Sequence, residues 1–355
     1  MKIIIFAGGH GLRMWPISRK NSPKQFEKMF EGKSTLQLMV ERVEKVYGLE
    51  NIYISTNSSY KEIIEEQLPK LPHENVIYEP VKRDLAAAVG LSFMKLKTLK
   101  INEPVAILWS DHLIADTSEF EKALKIGEEL IMNDPNRFVF TGETPRFANN
   151  NIGWIEIGEE RIKGKGLQVF DFSGWSYRPA LNLCNEMFKS GKALWNTGYF
   201  ISSLDFVIGL YQEHMPAMYS HLEKIAQDPT LIEELYPLLE SISFDDAIVV
   251  KTKENQAVVI KTDMGWSDPG SLYALKEALV SNTSDNFVKG RAVAFECKDS
   301  MIYNQNDGQL VATIGLDGFI VVNTGDTLLV CHKDRVSDIK ALLLEMEKEG
   351  YEELL

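Results

Sequence analysis

The sequence predicts an α/β fold with a doubly wound, mostly parallel sheet, followed by a small C-terminal β unit and a terminal helix. The first part of the chain alternates short apolar runs, typical of buried strands, with amphipathic segments typical of helices. Polar turns follow the apolar runs, at the edge where open α/β sheets bind ligands. Beyond residue 286 the apolar runs are short and broken by Gly and Asp, which indicates a separate β structure.

The elements of the first part follow from these patterns. Apolar runs predict strands at 2–5, 51–55, 76–78, 105–109 and 258–260. Amphipathic spacing predicts helices at 60–68, 86–99, 204–240 and 271–280, and a further helix that begins at the N-cap Ser34. Strands that alternate with helices in this way indicate parallel pairing.

A polar segment separates the two parts of the chain. Residues 282–286 (Asn-Thr-Ser-Asp-Asn) contain no apolar side chain and no periodicity. We therefore predict one domain at 1–283 and a second at 284–355. In the second domain, apolar runs predict strands at 292–296, 310–314, 319–322 and 328–330, and an amphipathic segment predicts a helix at 336–348.

Length and composition restrict the class of protein. The chain has 355 residues, a hydrophobic fraction of 45% and a formal net charge of −13. That acidic balance argues against nucleic-acid binding. The three cysteines lie far apart and match no zinc spacing, which fits a reducing compartment. Because the sequence has neither a signal-peptide pattern nor an apolar run of the ~18 residues that a membrane span needs, we expect a cytoplasmic protein with no membrane partner.

A glycine-rich loop with cations follows the first strand. Gly8, Gly9 and Gly11 can bring bare backbone N–H groups together, as in sites that bind phosphate. The cations that follow, a set that suits a polyphosphate, are Arg13, Arg19, Lys20 and Lys24. A dinucleotide fingerprint does not fit, since Pro16 and Pro23 interrupt the helix that it needs. On spacing alone, a tight turn with solvated charges is the alternative.

This loop resembles the signature of the sugar-phosphate nucleotidyltransferases, Gly-Gly-x-Gly-x-Arg followed by Pro-Lys. Its parts at 15–19 (Trp-Pro-Ile-Ser-Arg) and 23–26 (Pro-Lys-Gln-Phe) resemble the mannose-1-phosphate guanylyltransferase branch. The resemblance implies a Rossmann-like sheet and, in the second domain, a partial left-handed β-helix. It assigns Arg13 to the departing β,γ-phosphates and Lys24 to the α-phosphate. The nucleotide would lie against the backbone of Ala7, Gly8, Gly9 and Gly11.

Two acids, Glu79 and Asp84, occupy the turn after the third strand. Guanine presents N1–H and an amino group as neighbouring donors, so a carboxylate in this turn would select it. The segment 79–86 resembles the base loop of the family, Glu-Pro-x-x-Arg-Asp/Asn-x-Ala, which implies that Glu79 and Asp84 recognise the base. From the residues alone, Asp84 is equally well explained as the N-cap of the following helix.

Two further acids, Asp111 and Asp268, each lie in a short polar turn that follows an apolar strand. A carboxylate at a strand end beside a phosphate site can hold Mg²⁺ with few protein ligands and several waters. Helix capping is the alternative for both acids. Their turns resemble the Ala-Asp-His and Trp-Ser-Asp-x-Gly turns of the family, which implies that both acids bind one Mg²⁺. We expect the neighbouring His112 to be structural.

The resemblance assigns the sugar phosphate to the middle third of the chain, where shorter runs predict mixed strands. The residues that it points to are Gly153, Tyr177, Arg178, Asn196 and Asp245. For Asn196 a turn-closing role is the alternative, and for Asp245 a favourable charge at a helix start. Tyr177-Arg178-Pro179 stands where the family has Glu-Lys-Pro. Arg178 can still bind phosphate, but Tyr177 cannot accept hydrogen bonds from two sugar hydroxyls as a carboxylate does.

The resemblance implies an enzyme that uses Mg²⁺ to transfer a guanylyl group from GTP to a hexose 1-phosphate. Mannose 1-phosphate is the favoured acceptor, which would give GDP-mannose and pyrophosphate. Two alternatives remain open: the same chemistry with another hexose 1-phosphate or nucleotide, and a non-catalytic regulatory relative that binds nucleotide sugars. The expected partners are GTP and the hexose 1-phosphate, and a homodimer is compatible with the sequence.

Overall fold

The structure, a computed structural model, describes residues 1–9, 11–19, 21–30, 32–162 and 166–355. These residues form two compact units. Lys20, one of the predicted loop cations, lies outside the described residues. The first unit comprises Met1–Gly8, Met39–Ser110 and Ile114–Trp266, and the second comprises Gly9–Leu38, Asp111–Leu113 and Ser267–Leu355. Each unit is described by itself below.

A nine-stranded sheet is the centre of the first unit. Its strands are β1 (Lys2–Phe6), β2 (Ile52–Asn57), β3 (Val76–Glu79), β4 (Val105–Trp109), β5 (Phe138–Glu143), β6 (Trp154–Ile162), β7 (Val169–Ser176), β8 (Ala193–Ser202) and β9 (Ala257–Thr262). The strands β1 to β4 and β9 confirm the strands that the apolar runs predict. The side chains of β1, β2, β4 and β9 are almost all buried, as expected for strands that are covered on both faces, whereas β3 buries only Ile77 and Glu79.

The strand order of this sheet is β3-β2-β1-β4-β8-β5-β9-β7-β6, and β8 also pairs with β6. The pairs within β3-β2-β1-β4 are parallel, as the sequence predicts, and so is β5 with β9. By contrast β8 is antiparallel to β4, β5 and β6, and β7 is antiparallel to β6 and β9. Parallel pairing therefore holds for the nucleotide-binding half that the sequence predicts, and the middle third is mixed.

Helices α1 to α9 follow the strands in the chain. They are α1 (Thr35–Tyr47), α2 (Lys61–Gln67), α3 (Asp84–Thr98), α4 (Thr117–Asn133), α5 (Leu181–Ser190), α6 (Leu204–His214), α7 (Pro216–Gln227), α8 (Ile232–Leu235) and α9 (Phe244–Ala247). Ser34 is the predicted N-cap of α1: its Oγ accepts from the N–H of Gln37 at 3.2 Å. In the part of the chain that the structure describes, no helix is long and apolar enough to cross a membrane.

The described residues of the second unit include six short strands, most of which pair with the next strand but one in the sequence. They are β10 (Phe287–Lys289), β11 (Ala292–Phe295), β12 (Met301–Asn304), β13 (Val311–Ile314), β14 (Phe319–Asn323) and β15 (Leu328–His332). The parallel pairs β10–β12, β12–β14 and β11–β13 are typical of a coiled β-helix, and β15 is antiparallel to β14. Two helices, α10 (Leu272–Leu279) and the predicted terminal α11 (Ile339–Lys348), contribute to its apolar core.

An ion network lies inside the second unit. Asp299 accepts from Lys276 Nζ and Lys333 Nζ at 2.5 Å each, and from Tyr273 Oη at 3.0 Å. The Lys276 side chain is fully buried. Burial alone would raise the pKa of Asp299, but the hydrogen bonds from Lys276, Lys333 and Tyr273 outweigh it and lower the pKa to about 2. The network thus links α10 to the turn before β12 and to the end of β15.

We expect Asp299→Asn to lower the free energy of unfolding by about 2 kcal/mol at pH 7 and by clearly less at pH 3. The carboxyl has an ordinary pKa of 3.8 in the unfolded chain and about 2 in the folded chain. Its stabilisation is therefore present above pH 3.8 and is lost as the pH falls towards 2. Urea unfolding at both pH values measures this. Asp317→Asn, which removes an exposed pair with Lys298, is the control with almost no effect. An equal loss at both pH values would contradict the assignment.

Candidate active site

Lys24 contacts the two acids that the sequence predicts as metal ligands. Its Nζ lies 2.7 Å from Oδ2 of Asp111 and 3.6 Å from Oδ1 of Asp268. It also donates to the carbonyl of Pro269 at 3.4 Å. Lys24 is buried, whereas the side chains of Asp111 and Asp268 are 30% and 39% exposed. The structure thus brings together a buried cation and two carboxylates that remain accessible, all within the second unit.

Helix capping does not account for either acid. The N-cap of α4 is Asp116, whose side chain accepts from the N–H of Glu119 at 3.0 Å. The N-cap of α10 is Ser271, whose Oγ accepts from the N–H of Ala274 at 3.3 Å. Other residues therefore fill the capping positions that the sequence left as alternatives for Asp111 and Asp268.

The charges of this cluster hold one another in the ionised form. Burial lowers the pKa of Lys24, but the carboxylates of Asp111 and Asp268 outweigh it, so that the pKa lies above its ordinary value. For Asp111, burial raises the pKa, while Lys24 and His112 outweigh it and lower the pKa to about 2. Burial lowers the pKa of His112 below its ordinary value. The carboxylates of Asp268 and Asp111 oppose this decrease in the pKa of His112.

Arg13 completes the predicted set of four residues in the same unit. It is exposed, and a Cβ built on Gly270 would lie 3.1 Å from its Nη2. The guanidinium thus lies against the turn that contains Asp268. Gly11 has a φ of +61°, and a Cβ there would lie 3.0 Å from Cγ of Lys24. Glycine is needed at position 11 both for its backbone conformation and for the approach of Lys24.

The backbone of the glycine loop is used in several ways. The N–H of Ala7 donates to the carbonyl of Ser55 at 2.8 Å, so it serves the sheet of the first unit. In the second unit, Gln25 donates to the carbonyl of Gly9 at 2.9 Å, and Ser18 donates to that of Gly11 at 2.6 Å. A Cβ on Gly9 would meet no atom within 4 Å. The packing of the protein itself therefore does not explain why position 9 is glycine.

The base loop lies in the first unit, and its two acids have different surroundings. Glu79 ends β3, is buried, and accepts from Tyr236 Oη at 2.7 Å. Burial raises the pKa of Glu79 to about 7, although the hydrogen bond from Tyr236 opposes the rise. Asp84 begins α3, is exposed, and accepts from the N–H of Leu85 at 2.8 Å. Its φ of +62° is unusual for a residue other than glycine.

Asp245, predicted on the sugar-phosphate side, is electrostatically close to the base loop. It lies in α9, whose N-cap is Ser243. Burial raises the pKa of Asp245 to about 6, and the charges of Asp246 and Asp84 add to the rise. The charge of Asp84, an acid of the base loop, is thus one of those that act on Asp245.

Gly153 and Asn196 lie together on the predicted sugar side. The N–H of Asn196 donates to the carbonyl of Gly153 at 2.8 Å, and a Cβ on Gly153 would lie 3.5 Å from Cβ of Asn196 and from Trp175. Oδ1 of Asn196 accepts from the N–H of Gly198 at 2.9 Å, which is the turn-closing role left open by the sequence. Its Nδ2 donates to no residue among those that the structure describes, and so remains available to a ligand.

Tyr177 and Arg178 form an exposed pair after β7. Tyr177 is 55% exposed, and the Arg178 guanidinium lies 5.2 Å from the centre of its ring. Arg178 has a φ of +44°. No hydrogen bond or ion pair joins either side chain to Gly153 or Asn196 among the described residues. The β6–β7 ladder, in which Trp154 pairs with Ser176, nevertheless places the backbone of Tyr177 next to that of Gly153.

Residues 2–285 match the Nucleotidyl transferase family, and residues 290–346 match the MannoseP isomerase/GMP-like beta-helix domain. The chain belongs to the nucleotidyl transferase family. The first match contains every predicted site residue, and the second contains the strands from β11 to β15.

Similar proteins agree with this membership. The mannose-1-phosphate guanylyltransferase RfbM of Salmonella typhimurium is 33% identical over 352 residues, which are 96% of this chain and 71% of RfbM. The alginate biosynthesis protein AlgA of Pseudomonas putida is 28% identical over 356 residues, 98% of this chain and 72% of AlgA. A crystal structure described as mannose-1-phosphate geranyltransferase from Thermus thermophilus has a TM-score of 0.88 at 26% identity, covering 98% of this chain and 99% of that one. These findings confirm the predicted enzyme class and the α/β fold with a C-terminal β domain.

One acid of this nucleotidyl transferase was not identified from the sequence. Glu143 is fully buried at the end of β5, and its carboxylate accepts from the N–H groups of Met264 at 3.1 Å and Trp266 at 3.0 Å. Arg146 donates to the carbonyl of Trp266 at 2.9 Å. These bonds fix the chain two residues before Asp268. The sequence does show an acid at the end of an apolar strand. Its role could not be predicted, because its hydrogen-bond partners are more than 100 positions away in the sequence.

Proposed function

We propose that this chain transfers a guanylyl group from GTP to mannose 1-phosphate, which gives GDP-mannose and pyrophosphate. The observation that carries the proposal is Lys24 held against both Asp111 and Asp268 in the second unit. The name of RfbM, a relative over 96% of the chain, supports the guanylyl group and the mannose acceptor. A non-catalytic relative would normally have lost one of the four residues predicted to act on the phosphates and the metal, whereas this chain has Arg13, Lys24, Asp111 and Asp268.

The chemistry needs no general base, because a sugar phosphate is already an anionic nucleophile. The task of the protein is to align the attacking oxygen, the α-phosphorus and the leaving pyrophosphate, and to neutralise charge. We assign Lys24 to the α-phosphate, since two acids keep this buried amine charged and hold it in place. Arg13, which is exposed and has no such confinement, is assigned to the departing β,γ-phosphates.

The two acids fit a divalent metal ion, and Mg²⁺ is our proposal. Among the described residues, no group of three or more His, Cys, Asp or Glu side chains could hold a metal. Two carboxylates completed by waters and substrate phosphates are a donor set that suits Mg²⁺. Asp111 and Asp268 would hold the ion, since both are partly exposed and keep oxygens that Lys24 does not use. When bound, it would neutralise the charge that develops on the phosphates.

The remaining assignments concern the base and the sugar. Glu79 and Asp84 are proposed to accept hydrogen bonds from guanine, and the open space at Gly9 is proposed to admit the triphosphate. Asn196, with its unengaged Nδ2, is proposed to donate to a sugar hydroxyl. Four further predictions remain: a role of Asp245 in binding the sugar phosphate, a homodimer, a left-handed coil of the β-helix and a domain boundary near residue 283. Sedimentation over a range of protein concentrations tests the homodimer.

A substrate panel tests the proposed function. Pyrophosphate release is measured for GTP, ATP, UTP and dTTP, each with mannose, glucose or galactose 1-phosphate. We expect GTP with mannose 1-phosphate to give the highest kcat/KM. Another preferred pair would establish the same chemistry with a different substrate. No release with any pair, from a protein that still binds GDP-mannose, would establish the regulatory alternative.

Variants of the exposed residues Tyr177 and Arg178 test phosphate binding and sugar selectivity separately. We expect Arg178→Ala to lower kcat/KM for every sugar 1-phosphate by a similar factor, of about 10-fold, because the phosphate is common to all of them. Tyr177→Glu restores the carboxylate of the family motif, so it should change the ranking among the sugars. The measurement is kcat/KM for each sugar in the wild type and in both variants. If Arg178→Ala reorders the sugars while Tyr177→Glu does not, the assignment of this segment is wrong.

A further inference from the structure

A buried tyrosine hydroxyl is bonded to the carboxylate of the base loop. Tyr236 has no exposed surface, and its Oη donates to Oε2 of Glu79 at 2.7 Å. Two more bonds fasten the same loop to the segment around Tyr236. Arg83 donates to the carbonyl of Pro237, and the N–H of Ala86 donates to the carbonyl of Ile242 at 3.1 Å. The loop that the family uses for the base is therefore held from a segment more than 150 positions later in the chain.

The two oxygens of Glu79 are not equivalent. Oε2 is occupied by Tyr236, whereas Oε1 faces the glycine loop, since a Cβ on Gly8 would lie 3.7 Å from it. In the part of the chain that the structure describes, no residue donates to Oε1. The terminal torsion of a glutamate is broad and has no strong preferred angle of its own. The tyrosine bond therefore fixes the direction in which the remaining oxygen points.

We propose that Tyr236 is a positioning residue for guanine, which orients the Glu79 carboxylate so that its second oxygen accepts from the base. The inference rests on the proposed function in one respect, namely that Glu79 contacts the base. It adds a residue outside the base loop that determines how well GTP is distinguished from other nucleotides.

The electrostatic surroundings of Glu79 support this role. Burial raises its pKa to about 7, the Tyr236 hydrogen bond lowers it, Asp84 raises it and Lys82 lowers it. Tyr236 itself also lies near Tyr211 and Arg83. Loss of the Tyr236 hydroxyl removes this lowering, so the pKa of Glu79 should rise further and a larger fraction of the carboxyl should be neutral at pH 7. A neutral carboxyl replaces one acceptor by an O–H donor, which cannot pair with the N1–H and amino groups of guanine.

Tyr236→Phe tests the proposal, because it keeps the buried ring and removes only the hydroxyl. KM and kcat are measured for GTP, ITP and ATP with mannose 1-phosphate from pH 6 to 9. We expect the KM for GTP to rise about 10-fold at pH 7, as for loss of a hydrogen bond to a charged group, and to recover as the pH rises. The KM for ATP, which lacks the N1–H donor, should not rise, and kcat at saturating GTP should be unchanged.

Tyr211→Phe is the matched control. Tyr211 is also buried, and its Oη donates at 2.6 Å to the carbonyl of Ala86 in the same loop, but not to a carboxylate. Tyr211→Phe should lower the stability of the protein about as much as Tyr236→Phe does, but it should not change the selection of the base. If Tyr236→Phe raises the KM of GTP, ITP and ATP by one common factor at every pH, as a merely structural bond would, the proposal is overturned.

Glu79→Gln separates failure of this inference from failure of the proposed function. If Glu79→Gln leaves base selection unchanged, the base contact itself is wrong. If Glu79→Gln abolishes the preference for GTP but Tyr236→Phe does not weaken it, only the role of Tyr236 fails. In the Glu79→Gln background, Tyr236→Phe should have no further effect on the ratio of GTP to ATP, since the carboxylate that it orients is absent.

Discussion

Asp268→Asn is expected to abolish turnover, a fall in kcat of about 10³-fold or more, while the protein remains folded. The change removes one of the two carboxylates that converge on Lys24, and asparagine keeps the size of the side chain. Asp268 caps no helix and is 39% exposed, so little stability depends on it. Pyrophosphate release measures turnover, circular dichroism on heating measures folding, and calorimetric titration with Mg²⁺ measures metal affinity, which we expect to fall as well.

The control for this variant is Asp317→Asn, another exposed acid of the second unit, whose only ion pair among the described residues is with Lys298. It should retain full activity and full metal affinity. Asp111→Asn should behave like Asp268→Asn, because the two acids are proposed to act on the same ion. Full activity of Asp268→Asn, or of the wild type in EDTA, would contradict the assignment of both acids.

The sequence names candidate site residues but does not show how they are arranged. Asp111 and Asp268 are predicted as metal ligands from local features, namely a polar turn after an apolar strand and the resemblance of each turn to a turn of the family. That Lys24 is buried against both could not be predicted, because the three residues are brought together only by tertiary structure. The sequence likewise does not exclude that Asp111 and Asp268 cap helices. The structure excludes it, because Asp116 and Ser271 occupy the N-cap positions of α4 and α10.

The limits of the fold prediction have the same cause. Each of the strands β1 to β4 contains a continuous apolar run, so these strands are evident from the sequence. By contrast β8, whose middle is Asn-Thr-Gly, lies between β4 and β5 and is antiparallel to both. Its apolar pattern carries no information about the direction of its partners. The short strands β10 and β12 were not among the strands predicted from the sequence.

Lys24→Met is expected to lower kcat by about 10²–10³-fold with little change in the KM for GTP. Lys24 is the buried cation of the site, and the acids raise its pKa, so it carries its charge throughout the working pH range. A charge fixed in this way costs no reorganisation when negative charge develops at the α-phosphate. Methionine has a similar length and no charge, so the variant tests the charge alone. Steady-state and single-turnover rates of pyrophosphate release are the measurement.

The loss of a buried cation also leaves Asp111 and Asp268 facing each other, so a loss of stability must be separated from a loss of catalysis. Because both carboxylates are about one-third exposed, water screens them and the loss of stability should stay below the ~3–5 kcal/mol of a fully buried pair. Thermal unfolding of Lys24→Met measures that part, and Lys298→Met, at an exposed lysine of the same unit, is the control. An unchanged kcat with a raised KM for GTP would show that Lys24 binds the ground state and does not stabilise the transition state.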